Sequence, residues 1–215
     1  MTNAKRTPAK RGRPRSEEID QRWQRILDVT ATVLLRDGYT GTSIAKIARE
    51  GGVSKKTIYA KYSDKTELAA DVLKHLFQRS WDRLALIAKD ETRSLADIMA
   101  DFATTACQDV TTPAGLGLYR ILIAESPMSE SLAKIYQEVK SNWDGPLSKV
   151  LQASMDRGEL RQADPVLVAR TLYQLAVSDL RERALLGRVI RRPEIAKTVA
   201  LAVEIVLAAY ASKPA

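Results

Sequence analysis

Apolar residues recur along most of this chain at the three- and four-residue spacing of amphipathic helices. In the C-terminal two thirds of the chain, apolar stripes run at about 95–110, 115–125, 129–158, 165–187 and 193–211, and glycines or prolines separate them. The alternating pattern of β-strands is absent from the sequence. The pattern therefore predicts an all-α fold, whose first helix ends at Gly38 and buries one face made of Trp23, Ile26, Leu27, Thr30, Val33 and Leu34.

The segment 42–62 predicts two short helices joined by a glycine turn. Thr42 is a suitable N-cap for the first helix, whose apolar positions are Ile44, Ile47 and Ala48. The pair 51–52 is Gly-Gly, which ends that helix and turns the chain sharply, and the serine at position 54 caps the second helix. This is the layout of a helix-turn-helix DNA reader.

The second short helix divides into two faces. Val53, Ile58 and Tyr62 have the spacing of core residues, and the opposite face is formed by Lys55, Lys56, Thr57, Tyr59 and Lys61. Lysines bind phosphates, a threonine can contact a base edge or a thymine methyl, and a tyrosine hydroxyl can reach the DNA backbone. Each of these residues alone is more often part of an ordinary protein surface, so the hypothesis depends on the group.

A long helix follows the helix-turn-helix. Ser63 is its predicted N-cap, the helix begins near Asp64 and Lys65, and its inner side carries Leu68, Val72, Leu73, Leu76, Phe77 and Leu84. We expect this helix to leave the DNA-binding unit and enter a second one. Further along, Gly145-Pro146 lies inside the stripe at 129–158, where proline removes a helical hydrogen bond and predicts a kink or a split.

The positive charge is confined to the N-terminal part of the chain. Residues 1–80 contain 17 Lys and Arg against 9 Asp and Glu, whereas residues 81–215 contain 17 of each. This asymmetry favours a polyanion-binding module beside an electrically neutral one, although a surplus alone is also typical of a solvated basic face.

Residues 1–18 are predicted to form a disordered basic arm, because residues 1–16 contain six basic residues, no acidic one and no apolar periodicity. Arg11, Arg13 and Arg15 form an Arg-Gly-Arg-Pro-Arg motif similar to an AT-hook, which places arginines in a narrow minor groove. A basic tail without sequence preference is an equally good interpretation. No apolar run follows these charges, so the arm is not expected to be a signal peptide.

Residues 19–73 resemble the DNA-binding domain of the tetracycline-repressor (TetR) family of bacterial regulators. The resemblance is carried by Gly38-Tyr39-Thr40, the segment 42–62 and Tyr62-Ser63-Asp64-Lys65-Thr66-Glu67-Leu68. It implies an N-terminal three-helix helix-turn-helix domain over 19–80, with the motif at about 43–62, and a C-terminal antiparallel helical bundle over 81–215 for effector binding and dimerisation. It also adds Ser43 and Lys65 to the candidate DNA contacts. Gly51, Lys56 and Leu35 depart from the common family pattern.

Two stripes of small and apolar residues are candidates for a homodimer seam within residues 165–211. One carries Leu172, Ala176 and Leu180, and the other carries Ile195, Val199, Ala202, Val203, Val206 and Tyr210. Burial inside one subunit is the alternative. The family resemblance favours the seam, because a two-fold protein matches a palindromic site.

Five aromatic residues are candidates to line a small-molecule cavity in the bundle: Phe102, Tyr119, Tyr136, Trp143 and Tyr173. Aromatic residues at helical spacing are more often simple core, so this interpretation stays open. The identity of an effector is not encoded in any motif of the sequence.

The residue inventory argues against an enzyme. One histidine and one cysteine, Cys107, exclude most nucleophilic triads and multi-His or multi-Cys metal sites, and no phosphate-binding loop is present. No cofactor or membrane span is expected, and a lone cysteine fits the cytoplasm. The sequence predicts a dimeric repressor that binds a double-stranded palindromic operator and is released by an unknown small-molecule effector. The alternative is a constitutive or architectural DNA-binding protein, against which a ligand-sized cavity within residues 82–190 would count.

Overall fold

The computed structural model describes residues 16–90 and 92–212. Within them the chain forms nine α-helices and a short 3-10 turn at Ser126–Met128, and it forms no β-strand. The all-α prediction is therefore confirmed. The helices are α1 Ser16–Asp37, α2 Ile44–Glu50, α3 Lys55–Tyr59, α4 Lys65–Ile87, α5 Leu95–Val110, α6 Pro113–Glu125, α7 Glu130–Asp156, α8 Pro165–Leu185 and α9 Arg192–Tyr210.

Helices α1–α3 and the first turns of α4 enclose an N-terminal core. Gly38 ends α1 with a φ of 71°, and Gly52 makes the turn between α2 and α3 with a φ of 62°. Both values lie in the left-handed region, which glycine adopts without a Cβ clash. Most residues of this core belong to the predicted stripes, Ala31 and Ala69 were not predicted, and the predicted Trp23 and Val53 are only partly buried against it. The core contains Leu27, Ala31, Val33, Leu34, Ile44, Ile47, Ala48, Ile58, Tyr62, Leu68, Ala69 and Val72.

Helix α1 begins at Ser16, so residues 16–18, which were predicted as part of the disordered arm, are helical. Asp20 places an acidic side chain near the start of this helix. Negative charge there is favourable because the N-terminus of a helix carries partial positive charge. Sequence reasoning missed this signal because it weighed the basic residues that precede it.

The N-cap of α2 is Ser43, so the prediction of Thr42 is wrong. The Ser43 side chain accepts a hydrogen bond of 3.2 Å from the Lys46 backbone N–H. Thr42 is buried, and its hydroxyl donates to the Gly38 carbonyl oxygen at 2.6 Å. Two adjacent hydroxyl residues can each cap a helix, and here the buried bond to the end of α1 occupies one of them.

The N-cap of α4 is Asp64, so the prediction of Ser63 is also displaced by one residue. An oxygen of the Asp64 carboxylate accepts from the Glu67 backbone N–H at 2.9 Å. The Ser63 backbone N–H donates in return to the Glu67 carboxylate at 2.7 Å. These reciprocal bonds satisfy backbone donors that a helix start leaves free, and they fix the direction in which α4 leaves the N-terminal unit.

The C-terminal unit packs α5, α7, α8 and α9 against the second half of α4 around a larger core. Helix α7 runs without a break through Gly145 and Pro146, so the predicted split does not occur. Trp143 and Leu147 flank the proline and are both buried in this core. Their packing offsets the hydrogen bond that proline removes, and such packing is not visible from local sequence.

Helix α4 belongs to both units. Leu68 and Val72 are buried in the N-terminal core, whereas Leu73 and Leu84 are buried in the C-terminal core. The predicted domain boundary at residue 80 therefore falls inside a continuous helix. Helix α6 provides a second connection, because its Ile121 is buried in the N-terminal core.

The stripe on α9 that was predicted to form the dimer seam is packed inside a single chain. Its buried members are Ile195, Val199, Ala202, Val203 and Val206, and those of α8 are Leu172, Ala176 and Leu180. The residue assignment of that seam is therefore wrong, and the alternative of burial within one subunit holds. Periodicity identifies an apolar face, but it does not distinguish a face buried in the subunit from one buried between subunits.

Candidate DNA-binding surface and effector cavity

The predicted DNA-reading residues lie on the solvent side of α3. Lys55, Lys56 and Tyr59 are exposed, and 54% of the Tyr59 surface is open to solvent. The opposite side is closed, because Ile58 is fully buried and Tyr62 is 2% exposed. Burial of that side fixes the orientation of a helix of only five residues, which would not be stable alone.

Ser54 caps α3 as predicted, and Thr57 lies beside it. The Ser54 side chain accepts from the Thr57 backbone N–H at 3.1 Å, and the two side-chain oxygens lie 2.9 Å apart. A guanidinium nitrogen of Arg22 on α1 lies 3.5 Å from the Thr57 oxygen. The Thr57 side chain is thus placed by contacts on two sides before any ligand binds.

Lys61 lies at the end of the recognition segment, beside two aromatic rings. Its ammonium is 4.9 Å from the centroid of Trp23 and 5.1 Å from that of Tyr62, and 3.7 Å from an Asp71 oxygen. The Tyr62 hydroxyl donates to the same Asp71 carboxylate at 2.8 Å. Burial of the ring, followed by this hydrogen bond, holds the pKa of Tyr62 above its usual range, so the hydroxyl stays protonated.

Lys65 differs from the other candidate contacts, because its ammonium is bonded within the protein. It donates to the Tyr39 carbonyl oxygen at 2.8 Å and to the Thr42 carbonyl oxygen at 3.1 Å, and it lies 3.9 Å from the Tyr39 ring centroid. Desolvation lowers its pKa from the ordinary value. An ammonium has three donors, so this geometry leaves one for a further ligand. Ser43, the remaining candidate, uses its side chain as the cap of α2.

Sequence reasoning missed two arginines beside the helix-turn-helix. Arg22 and Arg25 line a groove of about 360 Å³ between α1 and the turn at Gly51 and Gly52. Both arginines are exposed. The apolar stripe of α1 predicts only its buried face, and Arg22 and Arg25 lie on the opposite, solvent side. The three arginines of the predicted minor-groove motif, Arg11, Arg13 and Arg15, lie outside the described residues.

A cavity of about 80 Å³ lies among α4–α8. Four of the five predicted aromatic residues line it, namely Tyr119, Tyr136, Trp143 and Tyr173. The fifth, Phe102, lines a smaller adjoining cavity of about 20 Å³, which shares Trp143 and Tyr173 with the first. Phe102 is buried in the core of α5, so the large cavity does not include it. The volume holds several waters, since one water needs roughly 10–15 Å³.

Charged side chains, which sequence reasoning did not identify, also line the cavity. An Arg170 nitrogen donates to the Asp144 carboxylate at 2.6 Å, and the Asp144 side chain is 8% exposed. The Arg181 guanidinium carbon lies 4.3 Å from the Tyr119 ring centroid, and the Lys140 ammonium lies 5.8 Å from that of Tyr136. Aromatic faces attract cations, so the rings hold both charges at the cavity wall.

Burial affects the phenols of the cavity. Desolvation raises the pKa of Tyr173 to about 12, although the nearby Arg181 charge acts in the opposite direction. The pKa of Tyr136 is raised as well, and burial is again the main cause. Both hydroxyls are therefore protonated at neutral pH and available as hydrogen-bond donors.

Residues 16–90 and 92–212 contain no group of three metal-ligating side chains, and no helix among them is long and apolar enough to span a membrane. Cys107 is fully buried, and its thiol lies 3.3 Å from the Ala176 carbonyl oxygen. Desolvation raises the pKa of this thiol to about 12. A protonated, enclosed thiol is a poor nucleophile, which agrees with a packing role.

Two family models match the two units of the chain. Residues 26–72 match the model described as "Bacterial regulatory proteins, tetR family", and residues 97–212 match "AefR-like transcriptional repressor, C-terminal domain". The first range spans the helix-turn-helix with the second part of α1 and the first turns of α4, and the second begins in the first turn of α5 and extends through α9.

Curated relatives and solved structures agree. The chain is 32% identical over 159 residues to the uncharacterized HTH-type transcriptional regulator YdeS of Bacillus subtilis strain 168, covering 72% of this chain and 73% of that one. It is 26% identical over 153 residues to the HTH-type transcriptional repressor ComR of Escherichia coli K12, covering 70% and 71%. A TetR-family regulator structure from Mesorhizobium loti MAFF303099 shares the fold with a TM-score of 0.80 at 22% identity, covering 93% and 100%. This chain is a member of the TetR family of DNA-binding transcription regulators.

Proposed function

We propose that the protein is a dimeric repressor that binds a palindromic operator through α3 and is released by a small molecule bound in the cavity of the bundle. The observation that carries the proposal is the continuous helix α4. Its first turns are buried with α3 in the N-terminal core, and its Phe77 lines the cavity. A cavity with convergent polar groups favours effector control over a purely architectural role.

The DNA contacts follow from chemistry and exposure. Lys55, Lys56 and Lys61 would neutralise phosphates, and Tyr59 would bond the DNA backbone. Thr57 would read a base edge or a thymine methyl. Ser43 and Lys65 would contact phosphates at the edge of the surface, and the arm with Arg11, Arg13 and Arg15 would add affinity in the minor groove.

Dimerisation is assigned to the outer faces of α8 and α9, within residues 165–211. These faces leave Leu167, Leu175, Leu201 and Ile205 exposed, opposite the side packed in the subunit. An isologous contact between two such surfaces would place two recognition helices on one face of DNA, in half-sites separated by about 34–36 Å or a multiple of it.

Release requires the ligand to favour one arrangement of the two units over another. Helix α4 provides one route, and α6 provides a second. Tyr119 and Leu122 of α6 line the cavity, whereas Ile121 is buried in the N-terminal core. A ligand that displaces α6 would therefore change how the N-terminal unit packs on the bundle.

Selection of DNA from a randomised duplex library tests the proposal. The full chain should enrich an inverted repeat, and footprinting should protect both half-sites on one face of the duplex. The variant Ile58→Ala serves as the comparison for lost packing, because it removes a buried side chain beneath the reading surface and leaves the exposed residues unchanged. Enrichment of sequences without an inverted repeat would contradict the operator proposal and favour an architectural binder.

A further inference from the structure

We infer that the cavity among α4–α8 takes a small aromatic monoanion, with its ring among the cavity aromatics and its carboxylate beside Arg181 and Lys140. The inference deepens the proposed function and rests on it for the regulatory role of the site. The binding claim itself depends only on the charge, shape and polarity of the cavity.

The charge balance of the wall is the first argument. Four charged side chains line the cavity, and one cation–anion pair, Arg170–Asp144, neutralises itself at 2.6 Å. Within residues 16–90 and 92–212, no carboxylate lies within ion-pair distance of Arg181 or Lys140. Two cations therefore face the cavity with no anion beside them. A partly enclosed site strengthens their attraction for a ligand anion relative to water.

The contacts that these two cations do make are the second argument. Arg181 lies over the Tyr119 ring and also forms a hydrogen bond with the Tyr173 side chain, and Lys140 lies over the Tyr136 ring. A ring face attracts a cation without consuming its N–H donors in the way that a carboxylate does. The guanidinium and the ammonium thus retain hydrogen-bond donors for a carboxylate, and a guanidinium can bind one with two parallel bonds.

The shape and composition of the cavity define the rest of the ligand. The rings of Trp143 and Tyr173 lie 6.1 Å apart and are tilted by 53°, and Phe77 and Leu122 add apolar wall. This separation is a favourable contact between the two rings themselves, and a planar ligand ring would pack against the sides of these rings that line the cavity. The cavity volume of about 80 Å³ favours one ring over a fused system.

The tyrosine hydroxyls complete the site. Burial keeps the Tyr136 and Tyr173 phenols protonated, so they present donors rather than negative charge. An anion would be accepted by such a wall, whereas a cationic ligand would face two uncompensated positive charges. The same wall provides no acidic partner for a ligand amine other than Asp144, which Arg170 already occupies.

Isothermal titration of the full chain, without DNA, with benzoate and with benzamide tests the charge requirement. The two molecules have nearly the same shape, and only benzoate carries a charge. We expect benzoate to bind at least about 10-fold more tightly, as a charge-assisted contact in a sheltered site implies. Quenching of Trp143 fluorescence, absent in Trp143→Phe, would place the ligand in this cavity. Equal binding of the two molecules, or no binding of benzoate, would overturn the inference.

A matched pair of arginine variants locates the anion. Arg181→Gln removes the charge at the cavity and should weaken benzoate binding about 10-fold or more. Arg188→Gln removes an exposed arginine that follows α8, and it should leave the affinity for benzoate unchanged. If Arg181→Gln does not fold by circular dichroism, Lys140→Gln supplies the same test on another helix. A loss of the same size in Arg188→Gln would assign the effect to general electrostatics and overturn the site.

Different outcomes of these experiments contradict the proposed effector role and the inferred binding site. Benzoate that binds with the expected pattern and leaves operator affinity unchanged would contradict the proposed release mechanism alone. If the protein binds its operator normally but binds no aromatic anion, only the inferred ligand class is contradicted.

Discussion

The side-chain oxygens of Ser54 and Thr57 lie 2.9 Å apart at the start of α3, so the Thr57 hydroxyl is already bonded in the protein. A hydroxyl has one donor and two acceptor sites, and this bond leaves it able to make a further contact. Ser54 thereby restricts the rotation of the side chain that we propose as the base reader. Restriction before binding reduces the entropy lost when DNA binds.

Thr57→Val should change the preference among operator sequences. Valine keeps the branched shape and removes the hydroxyl, so discrimination at the affected base step should fall by about 1 kcal/mol. Selection from a randomised library, followed by binding to single-base variants of the selected site, measures this. Thr32→Val on the exposed side of α1 is the control. An equal loss on every sequence would show that Thr57 holds the helix rather than reads a base.

Lys55→Ala, Lys56→Ala and Lys61→Ala should each weaken binding to all DNA sequences. Every phosphate contact that is lost should reduce the slope of log K against log salt by about 0.9. Fluorescence anisotropy over a salt series measures the slope, with Lys134→Ala at an exposed position of α7 as the control. An unchanged slope in all three variants would remove these lysines from the phosphate surface.

The order and type of the helices were predictable because each amphipathic stripe specifies one helix. The stripe at 165–187 became α8 and that at 193–211 became α9. The errors were of another kind. Thr42 was favoured as a cap over Ser43, since both residue types can cap and only the tertiary bond of Thr42 to Gly38 decides between them.

The two candidate sites differed in how far the sequence revealed them. The recognition surface is a continuous segment, so Lys55 and Thr57 could be placed from helical spacing alone. The cavity combines five helices, and the pairing of Asp144 with Arg170 joins residues 26 positions apart in the chain. The aromatic residues could be proposed from their residue type. Arg181 could not, because only the tertiary fold brings it against the Tyr119 ring.

Replacing Arg11, Arg13 and Arg15 by lysine should distinguish the two interpretations of the arm. The charge is unchanged, so a sequence-indifferent tail would bind as before. A minor-groove contact depends on arginine in narrow A·T tracts and should lose affinity only for operators with such flanks. Deletion of residues 1–15 gives the DNA affinity without any contribution from the arm. Equal affinity of the lysine variant on A·T and G·C flanks would reduce the arm to a charged tail.

Gly117→Ala should alter the coupling between the bundle and the DNA-binding unit. A Cβ at position 117 would lie 2.6 Å from a Leu35 methyl carbon, so α6 and α1 must separate or Leu35 must move. We expect a change in operator affinity of about threefold or more without any ligand. Gly145→Ala in α7, where a Cβ meets nothing within 4 Å, is the control. The double variant with Leu35→Ala should restore the affinity, and failure to restore it would contradict this route.

Leu201→Glu and Ile205→Glu should convert the proposed dimer to a monomer. The two side chains are 55% and 43% exposed in the single chain and lie one helical turn apart on the outer side of α9. In an isologous interface each substitution appears twice, so two carboxylates would be desolvated at the interface. The dimer dissociation constant should rise by about 100-fold or more, since each 1.4 kcal/mol is a factor of ten.

Light scattering over a concentration series measures that constant, and Leu86→Glu, at an exposed leucine of α4, is the matched control. Because the proposed operator has two half-sites, monomers should also lose affinity for the full palindrome while keeping their affinity for an isolated half-site. That difference separates loss of dimerisation from misfolding, which would weaken both. If Leu201→Glu remains a dimer with native affinity for the palindrome, the outer face of α9 is not the interface.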